Sequence, residues 1–154
     1  MARSRRGFSL AELVVVVAIM AVMAAMVVPR FSYGLVRRRK AEATAYKLMA
    51  DLRLARSMAI RDAASNDHGF ELDMTGSSPY SGYQIKNSKT GAVLDTQSFE
   101  SGVTVTCTGS NKFKFEPLGN LKSDSGTRIT ASADGRSFVL TFVFATGAVK
   151  YAAT

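Results

Sequence analysis

One cysteine, one histidine, three prolines and no tryptophan leave this 154-residue chain short of several chemical instruments. A lone Cys107 closes no intrachain disulfide, so thiol content does not identify a redox compartment. Free cysteine behaves as a small apolar residue, and the expectation for Cys107 is a buried strand position. His68 stands in an expected turn with no second ligand or nucleophile at a suggestive spacing, which makes it a surface loop residue. No P-loop, no G-x-G-x-x-G after a strand and no C-x-x-C pair is present. Asp124 and Asp134 are isolated and form no acidic loop for a cation. Neither an enzyme, nor a cofactor, nor a metal site is expected.

Charge is also scarce where hydrophobicity concentrates. Over residues 8–28 the only charged side chain is Glu12, and the only other polar one is Ser9. As a helix, that stretch is ~31 Å long, close to the hydrocarbon thickness of a bilayer. The six residues before Gly7 carry Arg3, Arg5 and Arg6, and without these three the chain holds 17 basic against 12 acidic residues. Such a balance permits an anionic partner without demanding one.

Beyond the apolar run, no break stronger than Pro29 and Gly34 interrupts the chain before residue 63. Ala41, Ala45, Leu48, Leu52, Ala55 and Ala59 recur at helical spacing, with Met49 alongside. The pattern predicts one long helix, kinked at Pro29, over about 8–63. Ser65, Asn66, Asp67, His68 and Gly69 then give a stop signal. Short alternating runs follow, predicting strands over 70–74, 83–86, 93–99, 103–107, 112–115, 128–132, 138–144 and 148–151. Asp134-Gly135 and Thr146-Gly147 are the hairpin signals. The fold class is therefore α+β: one long N-terminal helix, its apolar half spanning the membrane, packed on a mostly antiparallel sheet.

Glu12 is the anomaly within the apolar run. An acidic residue at the centre of a membrane helix costs about 2.5–3.5 kcal/mol, less near the ends. Either it lies at the membrane surface, with the span beginning at Leu13, or it has a partner. A secretory signal would need a small-residue cleavage site after the apolar run. No two alanines between Ala18 and Ala25 stand two apart. The small residue lies instead before the run, at Gly7.

Gly7-Phe8-Ser9-Leu10-Ala11-Glu12-Leu13 resembles the leader junction of type IV pilins and type II secretion pseudopilins. The resemblance implies cleavage by a prepilin peptidase between Gly7 and Phe8, and N-methylation of Phe8. Glu12 matches the family's acidic assembly residue, and Pro29 matches the proline that interrupts the helix. It also implies a pilin-like organisation: a cleaved leader (1–7), a membrane and assembly helix (8–29), its amphipathic continuation (30–66) and a β-rich domain (67–154). Glu12 facing the Phe8 amine of a neighbour would neutralise two charges that are costly apart in hydrocarbon.

Later residues are similar to one branch, the GspH/FimT minor pilins. They are the helix segment 47–61 with Ala55-Arg56 and Ala59-Ile60, then Phe115-Glu116-Pro117-Leu118-Gly119, then Gly147-Ala148-Val149. That branch implies a minor subunit at or near the tip of a type II secretion pseudopilus or type IV pilus, supporting protein secretion. Its partners would be other pilins or pseudopilins, the inner-membrane assembly platform and membrane lipid. The implied location is the bacterial inner membrane, single-pass, with the N-terminus cytoplasmic and the C-terminal domain extracytoplasmic. Arg30 and the run Arg37, Arg38, Arg39, Lys40 oppose that orientation by the positive-inside bias, but the leader junction is the more specific signal.

The run Arg37–Lys40 is the candidate anion-binding segment, its plain reading being a solvated helix face. Anionic lipid headgroups are one ligand. DNA is another, giving the alternative of a DNA-binding minor pilin for natural transformation, although the last strand offers only Lys150. A bitopic envelope protein that never joins a filament is the remaining alternative.

Overall fold

A computed structural model of the chain describes residues 9–27 and 33–154. The expected cleavage junction at Gly7 and Phe8 and the expected kink at Pro29 lie outside the described residues. The chain divides into two units, Met1–Tyr33 and Gly34–Thr154.

The first unit contains α1 (Leu10–Val27). Ser9 caps it: its Oγ accepts the Glu12 backbone N–H at 3.2 Å, and its carbonyl accepts that of Leu13 at 3.2 Å. Serine followed three residues later by glutamate is the capping-box spacing, and the Glu12 carboxylate lies where the helix dipole favours negative charge. Val14, Val15, Val16 and Val17 are mediocre helix formers in water, because their branched side chains crowd the preceding turn. Away from water the backbone has no hydrogen-bond partner but itself, and helix becomes the favoured state. Every side chain from Leu10 to Met26 is exposed, on all sides of the helix.

The helix α2 (Tyr33–Arg61) belongs to the second unit from Gly34 onward. Its buried residues are Ala41, Ala45, Leu48, Leu52, Ala55 and Ala59, the stripe the spacing predicts. Alanines towards both ends let the helix lie close to the sheets, while Leu48 and Leu52 fill the centre. Burying each leucine contributes about 2 kcal/mol. The helix stops at Arg61, two residues earlier than expected, because the chain turns to satisfy its last carbonyls. Asp62 O accepts from Ser65 N at 3.0 Å and Asn66 N at 2.8 Å. Asn66 is only 4% exposed. Its Nδ2 donates to Gly69 O at 2.8 Å, and its Oδ1 accepts from His68 N at 3.1 Å.

Eight strands follow: β1 (Phe70–Thr75), β2 (Gly82–Asn87), β3 (Val93–Ser98), β4 (Thr104–Thr108), β5 (Lys112–Phe115), β6 (Arg128–Ala133), β7 (Arg136–Val143) and β8 (Ala148–Ala153). All pairings are antiparallel, but they form two four-stranded sheets, β3-β2-β1-β5 and β4-β6-β7-β8, where a single sheet was the expectation. The two sheets and α2 share one core: Leu48 and Leu52 from the helix, Leu72, Ile85 and Phe113 from one sheet, and Val105, Ile129 and Leu140 from the other. Phe113 stacks on Phe142 with ring centroids 4.7 Å apart, joining β5 to β7.

Both expected hairpin turns form. Asp134 and Gly135 have φ of 47° and 74°, as a two-residue turn between Ala133 and Arg136 requires. In the β7–β8 turn Gly147 has φ 63°, and a Cβ there would stand 2.0 Å from the Gly119 carbonyl oxygen. Gly147→Ala therefore meets both a left-handed backbone and a main-chain collision. It should destabilise residues 34–154 by about 2 kcal/mol or more. Urea denaturation checks this; an unchanged midpoint would mean that the turn can relax freely.

Candidate assembly site

The candidate residues fall into two separate groups, one on α1 and one among the contacts that hold α2 on the β-domain. On α1, Glu12 is the one charged residue among the described side chains. Its backbone N–H is taken by Ser9, and no side-chain partner for its carboxylate occurs among the described residues. The capping role of Ser9 was overlooked in the sequence, although the S-x-x-E spacing marks it. Among the described residues no helix is long and apolar enough to cross a membrane. As described, α1 has 18 residues, which is ~27 Å at the helical rise, against the ~30 Å of a hydrocarbon core.

The basic run at the start of α2 does not act as one patch, because its first and last members are drawn to acidic partners. Arg37 Nε lies 3.4 Å from Asp134 Oδ2, and Arg38 Nε donates to the Asp134 carbonyl at 3.2 Å. Lys40 Nζ lies 2.9 Å from Glu100 Oε2. Three of the four cations thus hold the helix to the β6–β7 turn and to the loop after β3. Asp134, isolated in sequence, faces arginine. Surface pairs of this kind are worth about 0.2–1 kcal/mol each, so their role is positional more than energetic.

Further along α2, segments distant in sequence converge. Arg56 Nε donates to the Gly119 carbonyl at 3.0 Å. A Cβ on Gly119 would stand 2.7 Å from Ile60 Cδ1, and Gly147 abuts the Gly119 carbonyl. Arg56, Ile60, Gly119 and Gly147 therefore form one clasp between helix, loop and hairpin. Glycine is required at 147 by the close approach of the Gly119 carbonyl, and is favoured at 119 by a left-handed backbone of φ 81°. Tyr83, buried on β2, donates its hydroxyl to Asp51 on α2. Burial first, and then the Asp51 carboxylate, hold the Tyr83 hydroxyl protonated. Nothing in the local pattern around Asp51 signalled this anchor, since the tyrosine lies 32 residues away.

The remaining candidates carry little chemistry. His68 Nδ1 lies 3.0 Å from Asp67 Oδ1 on the surface, and Asp124 pairs with Lys122 at 3.0 Å. Among the described residues no group of His, Cys, Asp and Glu could hold a metal ion. Cys107 is half-buried on β4, less enclosed than expected, and burial raises its thiol pKa to about 12.

Two family models match the chain. The prokaryotic N-terminal methylation motif covers residues 2–28, and the type II transport protein GspH covers residues 44–146. The second match includes Arg56, Ile60 and Gly119 and stops one residue before Gly147. No curated protein and no solved structure matches the chain significantly.

The folded state of Cys107 favours the neutral thiol, so its contribution to stability is complete below about pH 9 and is lost as pH rises towards 12. At pH 8.5 we expect iodoacetamide to modify folded protein at least ~10-fold more slowly than protein unfolded in urea. Equal rates would contradict the burial.

Proposed function

Because the chain belongs to the GspH family of type II transport proteins, a structural and non-enzymatic family, we propose that it is a minor pseudopilin placed at or near the tip of a secretion filament. The methylation motif implies processing by a prepilin peptidase, and the family implies partners within the secretion machinery. In our reading the leader is removed after Gly7, Phe8 is N-methylated, and α1 first resides in the inner membrane with the β-domain outside the cytoplasm. Phe8 and Val28 add apolar residues beyond Ser9 and Val27, which supports a span longer than the helix as described.

The observation that carries this proposal is the exposure of α1 on every side. A helix apolar around its whole circumference needs either lipid or other apolar helices. Assembly exchanges the first for the second. Van der Waals packing replaces lipid contacts, and the buried acid supplies direction. Glu12 sits one turn from the mature N-terminus, within reach of a neighbour's Phe8 amine as two staggered helices meet. Pairing offsets the cost of two isolated charges in hydrocarbon, which supports recruitment in register. The DNA-binding alternative has less support, since Arg37 and Lys40 already face Asp134 and Glu100.

Mass spectrometry of protein from cells with active peptidase should find methylated Phe8 at the N-terminus; retention of residues 1–7 would defeat the proposal. Glu12→Leu should be inserted and processed as wild type but enter filaments at least ~10-fold less, reflecting loss of a charge pair worth more than about 1.4 kcal/mol. Normal incorporation of that variant would remove Glu12 from the mechanism.

A further inference from the structure

Between the first turns of α2 and the start of β7 lies a groove of ≈ 380 Å³, walled by Leu35, Arg38, Arg39, Glu42, Arg136 and Phe138. Three guanidiniums face one carboxylate. Arg38 uses Nε on the Asp134 carbonyl, which leaves its two terminal nitrogens. Neither Arg39 nor Arg136 shares an ion pair among the described residues, in contrast to Arg37 and Lys40. The surplus positive charge of this end of the β-domain therefore collects in the groove, joining one strand residue to two from the helix.

We propose that this groove binds the phosphodiester headgroup of an anionic phospholipid, an inference that rests on reading α1 as a membrane stem. Guanidinium groups present planar forks that match phosphate oxygens, and several can share one phosphate. The walls are also partly apolar. Leu35, 54% exposed, lines the groove together with Phe138 and Ala153, offering contact to a glycerol backbone and its first acyl carbons. A nucleic acid would require a cationic track along its backbone. The groove has no such extension along β8, because Lys150 lies on the opposite strand face from Ala153, which lines the groove. Proximity along the chain favours the lipid too. Arg38 follows the end of α1 by 11 residues, at most ~40 Å of extended chain. Arginines so close to a membrane segment strengthen attachment to anionic leaflets.

The test is native mass spectrometry of the full chain in nonionic detergent, with short-chain phosphatidylglycerol, short-chain phosphatidylcholine, glycerol phosphate or a short oligonucleotide added. Phosphatidylglycerol adducts should exceed phosphatidylcholine adducts on the order of tenfold. Arg39→Gln combined with Arg136→Gln should abolish that preference, while Lys150→Gln keeps it. Equal binding of the two lipids, or an undiminished preference in the double variant, would overturn the proposal. Glycerol phosphate binding as tightly as phosphatidylglycerol would assign the groove to free phosphate esters. Displacement of the lipid by the oligonucleotide would assign it to nucleic acid. Either result overturns a lipid site. The assay uses lipid monomers in detergent and does not require α1 to cross a bilayer; retention of the same proteins in carbonate-washed membranes reports on the stem alone.

Discussion

The contact on which the β-domain depends is the stripe of small and medium apolar residues along α2. Ala41, Ala45, Leu48, Leu52, Ala55 and Ala59 are all fully buried, and each sheet reaches them through its own inward residues. Without the helix, each four-stranded sheet would face water with an uncovered apolar side. Without both sheets, a helix with this stripe would have nothing to cover. Alanine at four of the six positions permits close approach, and the gaps between larger residues are filled from the strands. Arg56, Tyr83 with Asp51, and the pairs at Asp134 and Glu100 then determine where the helix stops sliding, since apolar contact alone is indifferent to small shifts along its axis.

The two helices answer different solvents. The second has a buried stripe and a charged remainder; the first is exposed all round and carries one acid. Under the proposed function, this contrast corresponds to an exchange of lipid for protein around the first helix, while the second keeps its stripe on the sheets. Ser9 adds a local reason for Glu12 to tolerate its position, since a capped first turn and the positive end of the helix dipole both favour a carboxylate there. Capping within one chain and pairing with a neighbour's amine are compatible, because capping uses the Glu12 backbone N–H and leaves the carboxylate available.

Much of this was legible from local pattern. The buried stripe of α2 followed from 3.6-residue periodicity, and each of the eight strands followed from short alternating runs between turn residues. Asp134-Gly135 formed a turn because its backbone must adopt positive φ twice, a demand few residue pairs meet. Other features were hidden. The division into two sheets rests on β1 pairing with β5 and β4 with β6, contacts that no turn sequence encodes. The basic run read as one patch, but Arg37 and Lys40 pair with acids, and Arg136 joins Arg38 and Arg39 from a different element.

The sequence by itself determined the leader junction pattern, the apolar character of the first helix, the buried face of the second and the positions of the strands. Each depends on side chains a few residues apart, where covalent geometry fixes the spacing. Only the tertiary structure decided that Arg56 meets Gly119 beside Gly147, that Tyr83 reaches Asp51, and that some cations are paired while others line a groove. Those relations join residues separated by dozens of positions. Packing of the whole core, and no local rule, brings them within hydrogen-bonding distance.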